Sequence, residues 1–194
     1  MLSKENKLLE PTFKLIQGCL AGDRHSQSQL YENFAPKMFV VCQRYSMSRE
    51  EAEEILQEGF MRVFTSLHQF RFSGSFEGWI RKIMVNCALQ KYRRKPQLHI
   101  VLNMNSFITE QTGNEEIQSQ LGTNELMVMI QKLSPGYRMV FNLYVFEGLK
   151  HREIANLLGI SEGTSKSNLA DARAILRKAV TNSLKVAIKK KVIQ

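Results

Sequence analysis

The stretch "HQFRFSGSFEGWIRKI", His68 to Ile83, interleaves Phe70, Phe72, Phe76 and Trp79 with Arg71, Arg81 and Lys82. Aromatic faces beside fixed positive charge suit one kind of chemistry. They stack an unpaired base and neutralise the phosphates on either side of it. Phe76 and Ile80 are assigned instead to the apolar interior, while Phe70, Arg71, Phe72 and Ser73 lie just before Gly74 and could serve such a base. Covalent chemistry is not indicated. His25, His68, His99 and His151 are scattered, no Ser/His/Asp or Cys/His set stands out, and neither a phosphate-binding glycine loop nor zinc spacing is present. The chain is therefore expected not to be an enzyme and to need no cofactor or metal.

A second cluster lies in "HREIANLLGISEGTSKSNLADARAILRKAV", His151 to Val180. A short helix with Ile154, Leu157 and Leu158 inward is expected to end at Gly159, and Ser161 to cap a second helix. At about 100° per residue, Ser165, Leu169, Ala172, Leu176 and Ala179 of that second helix share one stripe. The opposite face carries Gly163, Ser167, Ala170, Ala174 and Lys178. Lys166, Arg173 and Arg177 flank it on one side, and Thr164, Asn168 and Asp171 on the other. Short side chains let a backbone approach the floor of a DNA major groove while basic flanks reach phosphates, so the pair reads as a helix-turn-helix. An ordinary helical hairpin with a solvated face is the alternative.

The elements that position these clusters follow from apolar spacing. Leu15, Ile16 and Leu20; Leu30, Tyr31, Phe34, Met38, Val41 and Tyr45; Ala52, Ile55, Leu56, Phe60, Val63 and Leu67; and Phe76, Ile80, Ile83 and Cys87 recur at helical intervals and predict four helices. Ser48 is placed to cap the third, with Glu50 and Glu51 in its first turn. Ser134, Pro135 and Gly148 bracket a later helix. No alternating strand pattern competes, so the fold class is all-α.

Lys and Arg stop at Lys95 and resume at Lys132, while Glu110, Glu115, Glu116 and Glu125 fall in the gap. Two domains, 1–95 and 123–194, are expected with a flexible linker at 96–122, within which "HIVLNM" could dock as an extended segment. The 194 residues carry 27 Lys+Arg against 18 Asp+Glu, a net charge of +9 that favours an anionic partner. Cys19, Cys42 and Cys87 are odd in number and lie in apolar patterns, which predicts buried thiols. No signal-peptide run and no stretch of about 20 apolar residues occurs, so a cytoplasmic protein without membrane insertion is expected.

"AEEILQEGFMRVF" (Ala52 to Phe64), "FEGWIRKIMVNCALQKYRRK" (Phe76 to Lys95), "LAGDRHSQSQLYENF" (Leu20 to Phe34) and "GLKHREIANLLGISEGTSKSNLADAR" (Gly148 to Arg173) together resemble bacterial RNA polymerase sigma factors of the extracytoplasmic-function (ECF) group. The resemblance covers about Leu15 to Lys178. It implies a four-helix region 2-like domain followed by a region 4-like helix-turn-helix, in a protein that directs core RNA polymerase to promoters and assists melting. On this resemblance Glu53, Glu54, Gln57 and Glu58 bind the clamp helices of the polymerase largest subunit. The acidic outer face of Glu50, Glu51, Glu53, Glu54 and Glu58 suits a basic protein partner and would repel DNA.

The same resemblance assigns Phe70, Arg71, Phe72, Ser73, Trp79, Arg81, Lys82, Asn86, Lys91, Arg93 and Arg94 to minus-ten DNA, with Tyr92 on the same helix. Thr164, Lys166, Ser167, Asn168, Asp171, Arg173 and Arg177 fall to minus-thirty-five DNA, and an anti-sigma factor becomes a candidate partner. The sequence departs from the family pattern at Ser165 (usually Val), Gln90 (often Asp), Lys150 (commonly Ser or Thr), and Asn168 and Asp171 (frequently basic). Asp171 could accept from a cytosine amino group or pair with Arg173 or Lys178. Two other readings compete: a regulator that binds an operator without polymerase, and a basic protein held at a membrane surface by "NSLKVAIKKKVIQ" (Asn182 to Gln194).

Overall fold

The computed structural model describes the backbone of residues 4–94 and 121–192 and the side chains of residues 11–94 and 124–183. The linker expected at 96–122, its "HIVLNM" segment and the side chains of the basic tail beyond Ser183 lie outside these described residues. The described backbone is helical without strands. In chain order it forms α1 (Lys4–Leu20), α2 (Arg24–Tyr45), α3 (Arg49–Ser66), a 3-10 turn (Leu67–Gln69), α4 (Phe76–Arg94), α5 (Leu121–Gln131), α6 (Pro135–Val145), α7 (His151–Leu158) and α8 (Glu162–Val192). Chain contacts divide into two compact units, one of Met1–Cys42 with Arg49–Ala88 and one of Gln43–Ser48 with Leu89–Gln194.

In the first unit the apolar stripes meet as expected. Ile16, Leu30, Met38, Ile55, Val63, Leu67, Ile80 and Met84 are almost completely buried, each contributing about 1.5–3 kcal/mol of transfer free energy. Leu20 and Tyr31 differ from expectation: both are exposed, Tyr31 laying its ring beside Phe60 with centroids 4.7 Å apart. The three cysteines are buried free thiols. Burial, with a lesser push from Cys87, raises the Cys42 thiol to about 12, so it stays protonated. Asp23 caps α2, accepting from the Ser26 amide at 2.9 Å.

In the second unit α6 packs across α8, and Ile130, Leu133, Ala172 and Leu176 form a buried cluster with Tyr137 and Phe141 against it. Arg138, unmarked by sequence reading, is buried at the joint between α5 and α6. Its Nη1 donates to the carbonyls of Gln131 (2.6 Å) and Leu133 (3.3 Å), satisfying acceptors that the end of a helix leaves without partners. Ser134 occupies the position before α6 and Pro135 its first turn, but the Ser134 hydroxyl makes no cap bond; its carbonyl takes the Arg138 amide at 2.9 Å. Gly148 is left-handed (φ 69°), three residues past the end of α6 rather than at it.

The short α7 exists because two residues stop it and restart the chain in a new direction. Gly159 takes φ 68°, ψ 34°, a conformation that costs any residue with a Cβ. The Ile160 amide bonds back to Ala155 at 3.1 Å. Ser161 then begins α8 by accepting the Thr164 amide at 3.0 Å. Lys150 stands at the start of α7 with no acceptor on its side chain, so only half of a capping box forms: its amide donates to Glu153 Oε2 at 2.7 Å.

Candidate nucleic-acid interface

Between the 3-10 turn and α4 the chain runs exposed from Arg71 to Ser75, and Ser75 closes the loop by accepting the Gly78 amide at 3.2 Å, which caps α4. Gly74 is left-handed (φ 99°), and so is Phe72 (φ 54°), a conformation bulky residues rarely adopt. Within this frame lies a cavity of about 320 Å³ lined by Phe70, Arg71, Ser73, Trp79 and Lys82, together with Gln69, Gly74, Ser75 and Gly78. Phe70, Arg71 and Ser73 were expected in the pocket and Trp79 and Lys82 at minus-ten DNA, whereas Phe72, also expected in the pocket, is not among the lining residues. The other four lining residues were not picked out from the sequence, where glycines give little periodic signal. Phe70 is the hub: its ring lies 4.9 Å from Phe72, 5.0 Å from Phe76 and 5.6 Å from Trp79. Phe76 is buried, as assigned, and stacks on Trp79 at 5.7 Å and 16°. A cavity of this size has room for one planar group, and its lining includes the rings of Phe70 and Trp79 and the cations of Arg71 and Lys82.

Along α4, Lys82, Asn86 and Arg93 share one face by helical spacing and are exposed, as is Arg94; Arg81 and Lys91 are half-buried. Arg93 Nε donates to the Leu157 carbonyl at 3.0 Å within the second unit. Tyr92, expected on the DNA side, is buried and its hydroxyl is pushed up by that burial, so it belongs to the interior.

On α3, Glu54 and Gln57 are exposed and Glu53 and Glu58 half-exposed. Two basic residues temper this acidic face at i,i+4 spacing: Arg49 Nε bonds Glu53 at 2.9 Å and Arg62 Nη2 bonds Glu58 at 2.6 Å. Met61, 71% exposed, continues the stripe of Glu54, Gln57 and Glu58 by one turn and was not picked out from the sequence.

On α8, Lys166, Ser167, Ala170, Asp171, Arg173, Ala174, Arg177 and Lys178 face outward and Thr164 is half-buried. Asn168 is corrected: only 5% of it is exposed, because three residues from Ser165 and four from Ala172 it falls inside the buried stripe rather than beside the reading face. Asp171 is exposed but pairs with Tyr137 rather than with Arg173 or Lys178. The Tyr137 hydroxyl is raised by burial first and then by the Asp171 charge and hydrogen bond. Lys166 Nζ reaches Glu162 at 2.7 Å and holds that carboxyl below its ordinary range.

Ser165, where the family pattern has Val, is fully buried and bonds His151 Nδ1 at 3.0 Å. His151 stacks on Tyr144 at 4.8 Å, and the Arg173 guanidinium lies 5.4 Å over the same Tyr144 ring. A polar and aromatic thread thus ties α6, α7 and α8 together at this point.

Comparison with known proteins bears directly on this architecture. A family model described as Sigma-70 region 2 matches residues 30–96, and one described as Sigma-70 region 4 matches residues 123–176. The chain is 31% identical over 157 residues to the ECF RNA polymerase sigma factor SigE of Mycolicibacterium smegmatis, an alignment spanning 78% of this chain and 60% of that protein. It is 27% identical to SigW of Bacillus subtilis over 85% of this chain and 94% of that one. The solved structure of the sigma factor RpoE from Bartonella quintana, in complex with the anti-sigma factor NepR, has the same fold at a TM-score of 0.50 and 19% identity, over 79% of this chain and 96% of that one. With region 2 and region 4 present in order over more than half of its length, the chain belongs to the sigma-70 family of RNA polymerase sigma factors, in the ECF group.

Proposed function

We propose that this sigma factor divides promoter recognition between the Phe70–Trp79 cavity, which captures an unpaired minus-ten base, and the exposed face of α8, which reads minus-thirty-five DNA. The observation that carries the reading is the cavity itself, an aromatic pocket with Arg71 and Lys82 among its lining residues. Lys82, Asn86, Arg93 and Arg94 extend it along α4 toward the duplex. The acidic stripe of α3 docks on the clamp helices of core polymerase, the chain works in the cytoplasm, and an anti-sigma factor of the kind bound to the Bartonella RpoE is its natural antagonist. Among the described residues no helix is long and apolar enough to cross a membrane. A gel-shift with and without core enzyme tests the reading: firm promoter binding is expected only with core, whereas an operator-binding regulator would bind alone.

Within α8, Lys166 and Arg173 position the helix and Ser167 discriminates. Lys166→Ala is expected to weaken binding to every sequence and to lower the salt slope by about one unit. Ser167→Ala should cost about 1–3 kcal/mol on the preferred minus-thirty-five sequence and less on others. Asn168→Ala, at a buried position, should lower stability and leave base preference unchanged. Selection of minus-thirty-five sequences by holoenzyme carrying each variant checks all three, and a changed preference in Asn168→Ala would show that α8 is rotated from this account.

A further inference from the structure

Phe72 holds a left-handed backbone (φ 54°) on an exposed loop whose neighbour Gly74 is also left-handed. A bulky side chain keeps such a conformation only where its surroundings over-determine it. Phe72 is 44% exposed, and its ring makes two aromatic contacts. Phe70 lies at 4.9 Å and 59°, and Phe13 of α1 at 5.2 Å and 51°, both tilted geometries favoured by aromatic quadrupoles. Phe13 sits on a fixed mount, since Ile16 and Cys19, one and two turns further along α1, are 1% and 7% exposed in the first unit's core. Yet Phe13 itself is 46% exposed, so the fold does not need it as core. Its ring contact is with the loop, and it lies outside the 30–96 region 2 match.

We propose that Phe13 is a positioning residue for base capture: through Phe72 it holds Phe70, and with it the aromatic wall of the cavity, in the shape that accepts an unpaired base. This rests on the reading of the cavity as the minus-ten pocket. Phe13 touches no nucleotide in this role; it acts through Phe72. Removing the Phe13 ring frees Phe72 to leave the left-handed region, Phe70 loses its lateral support, and the pocket discriminates less among bases. Core binding through α3 and minus-thirty-five binding through α8 are untouched.

The test uses holoenzyme reconstituted from core polymerase and the full chain, transcribing a promoter library randomised through the minus-ten region. Phe13→Ala is expected to reduce discrimination at the most strongly selected minus-ten position about fivefold, the scale of one aromatic pair. Phe13→Tyr should restore it, and Phe13→Leu, apolar without a ring face, should not. Core affinity is expected to stay at the wild-type value, and the thermal midpoint to fall by no more than about a few degrees, the loss of one half-exposed ring contact. In a Phe72→Ala background, Phe13→Ala should bring no further loss, because the two residues act in series. Additive losses, or a Phe13→Ala profile as sharp as wild type, would overturn the brace while leaving the pocket standing. A wild-type holoenzyme that selects no minus-ten base would overturn the pocket and the brace with it. Equal loss in Phe13→Tyr would overturn the role of the ring.

Discussion

Holoenzyme assembled with the Glu54→Lys chain is expected to form about tenfold to a hundredfold more weakly than with the wild type, while the free chain unfolds at an unchanged temperature. Glu54 is exposed on α3, away from the inward-facing Ile55 and Val63, which are 2% and 0% exposed, so the exchange disturbs no packing. At a complementary interface a reversed charge meets a like charge, which costs several kcal/mol in association and slows encounter. The deficit should shrink as salt rises, since the interaction is screened. Glu58→Lys carries a further cost: Glu58 bonds Arg62 at 2.6 Å, so its reversal places a second cation beside the Arg62 guanidinium within one helix. Fluorescence titration of labelled chain with core enzyme at two salt concentrations measures both, and undiminished affinity in both variants would remove α3 from the docking surface.

Trp79→Ala is expected to reduce promoter opening by about fivefold to a hundredfold, corresponding to the 1–3 kcal/mol of one base stacked on an aromatic ring. Trp79 is half-buried and stacked on Phe76, so some loss of stability accompanies the substitution. Trp79→Phe, which keeps a ring face, separates the two effects by retaining most of the opening. Permanganate reactivity of unpaired thymines in the open complex reports melting directly, with closed-complex formation as the control. Wild-type melting by Trp79→Ala would mean that the cavity is not where the base goes.

The helical periods made the two-part architecture legible, since a 3.6-residue pattern broken by Gly159 and capped by Ser161 leaves few foldings open. The aromatic and basic residues of the 70–82 segment were legible for the same reason that they work: rings and cations alternate at a spacing an ordinary core helix has no use for. What was not legible depended on side chains meeting across elements. Phe13 lies at the edge of α1's apolar stripe, and only the folded loop brings Phe72 within 5.2 Å of it. Asn168 was placed beside the reading face because a polar residue at the border of a stripe is assigned outward by type, whereas packing of α8 turned it inward. Arg49 and Arg62 temper the acidic face through intrahelical pairs that counting carboxylates alone passes over. Ser165, visible only as a departure from Val, became intelligible once its bond to His151 was seen.

The central claim is that this chain aims the polymerase rather than repressing or activating it from a separate site. Transcription in vitro from a promoter library by core polymerase, with and without the chain, tests it most directly. The account predicts that defined initiation sites appear only when chain and core are both present, with a shared pair of elements upstream. Tight operator binding by the chain alone, together with no initiation when core is added, would contradict it.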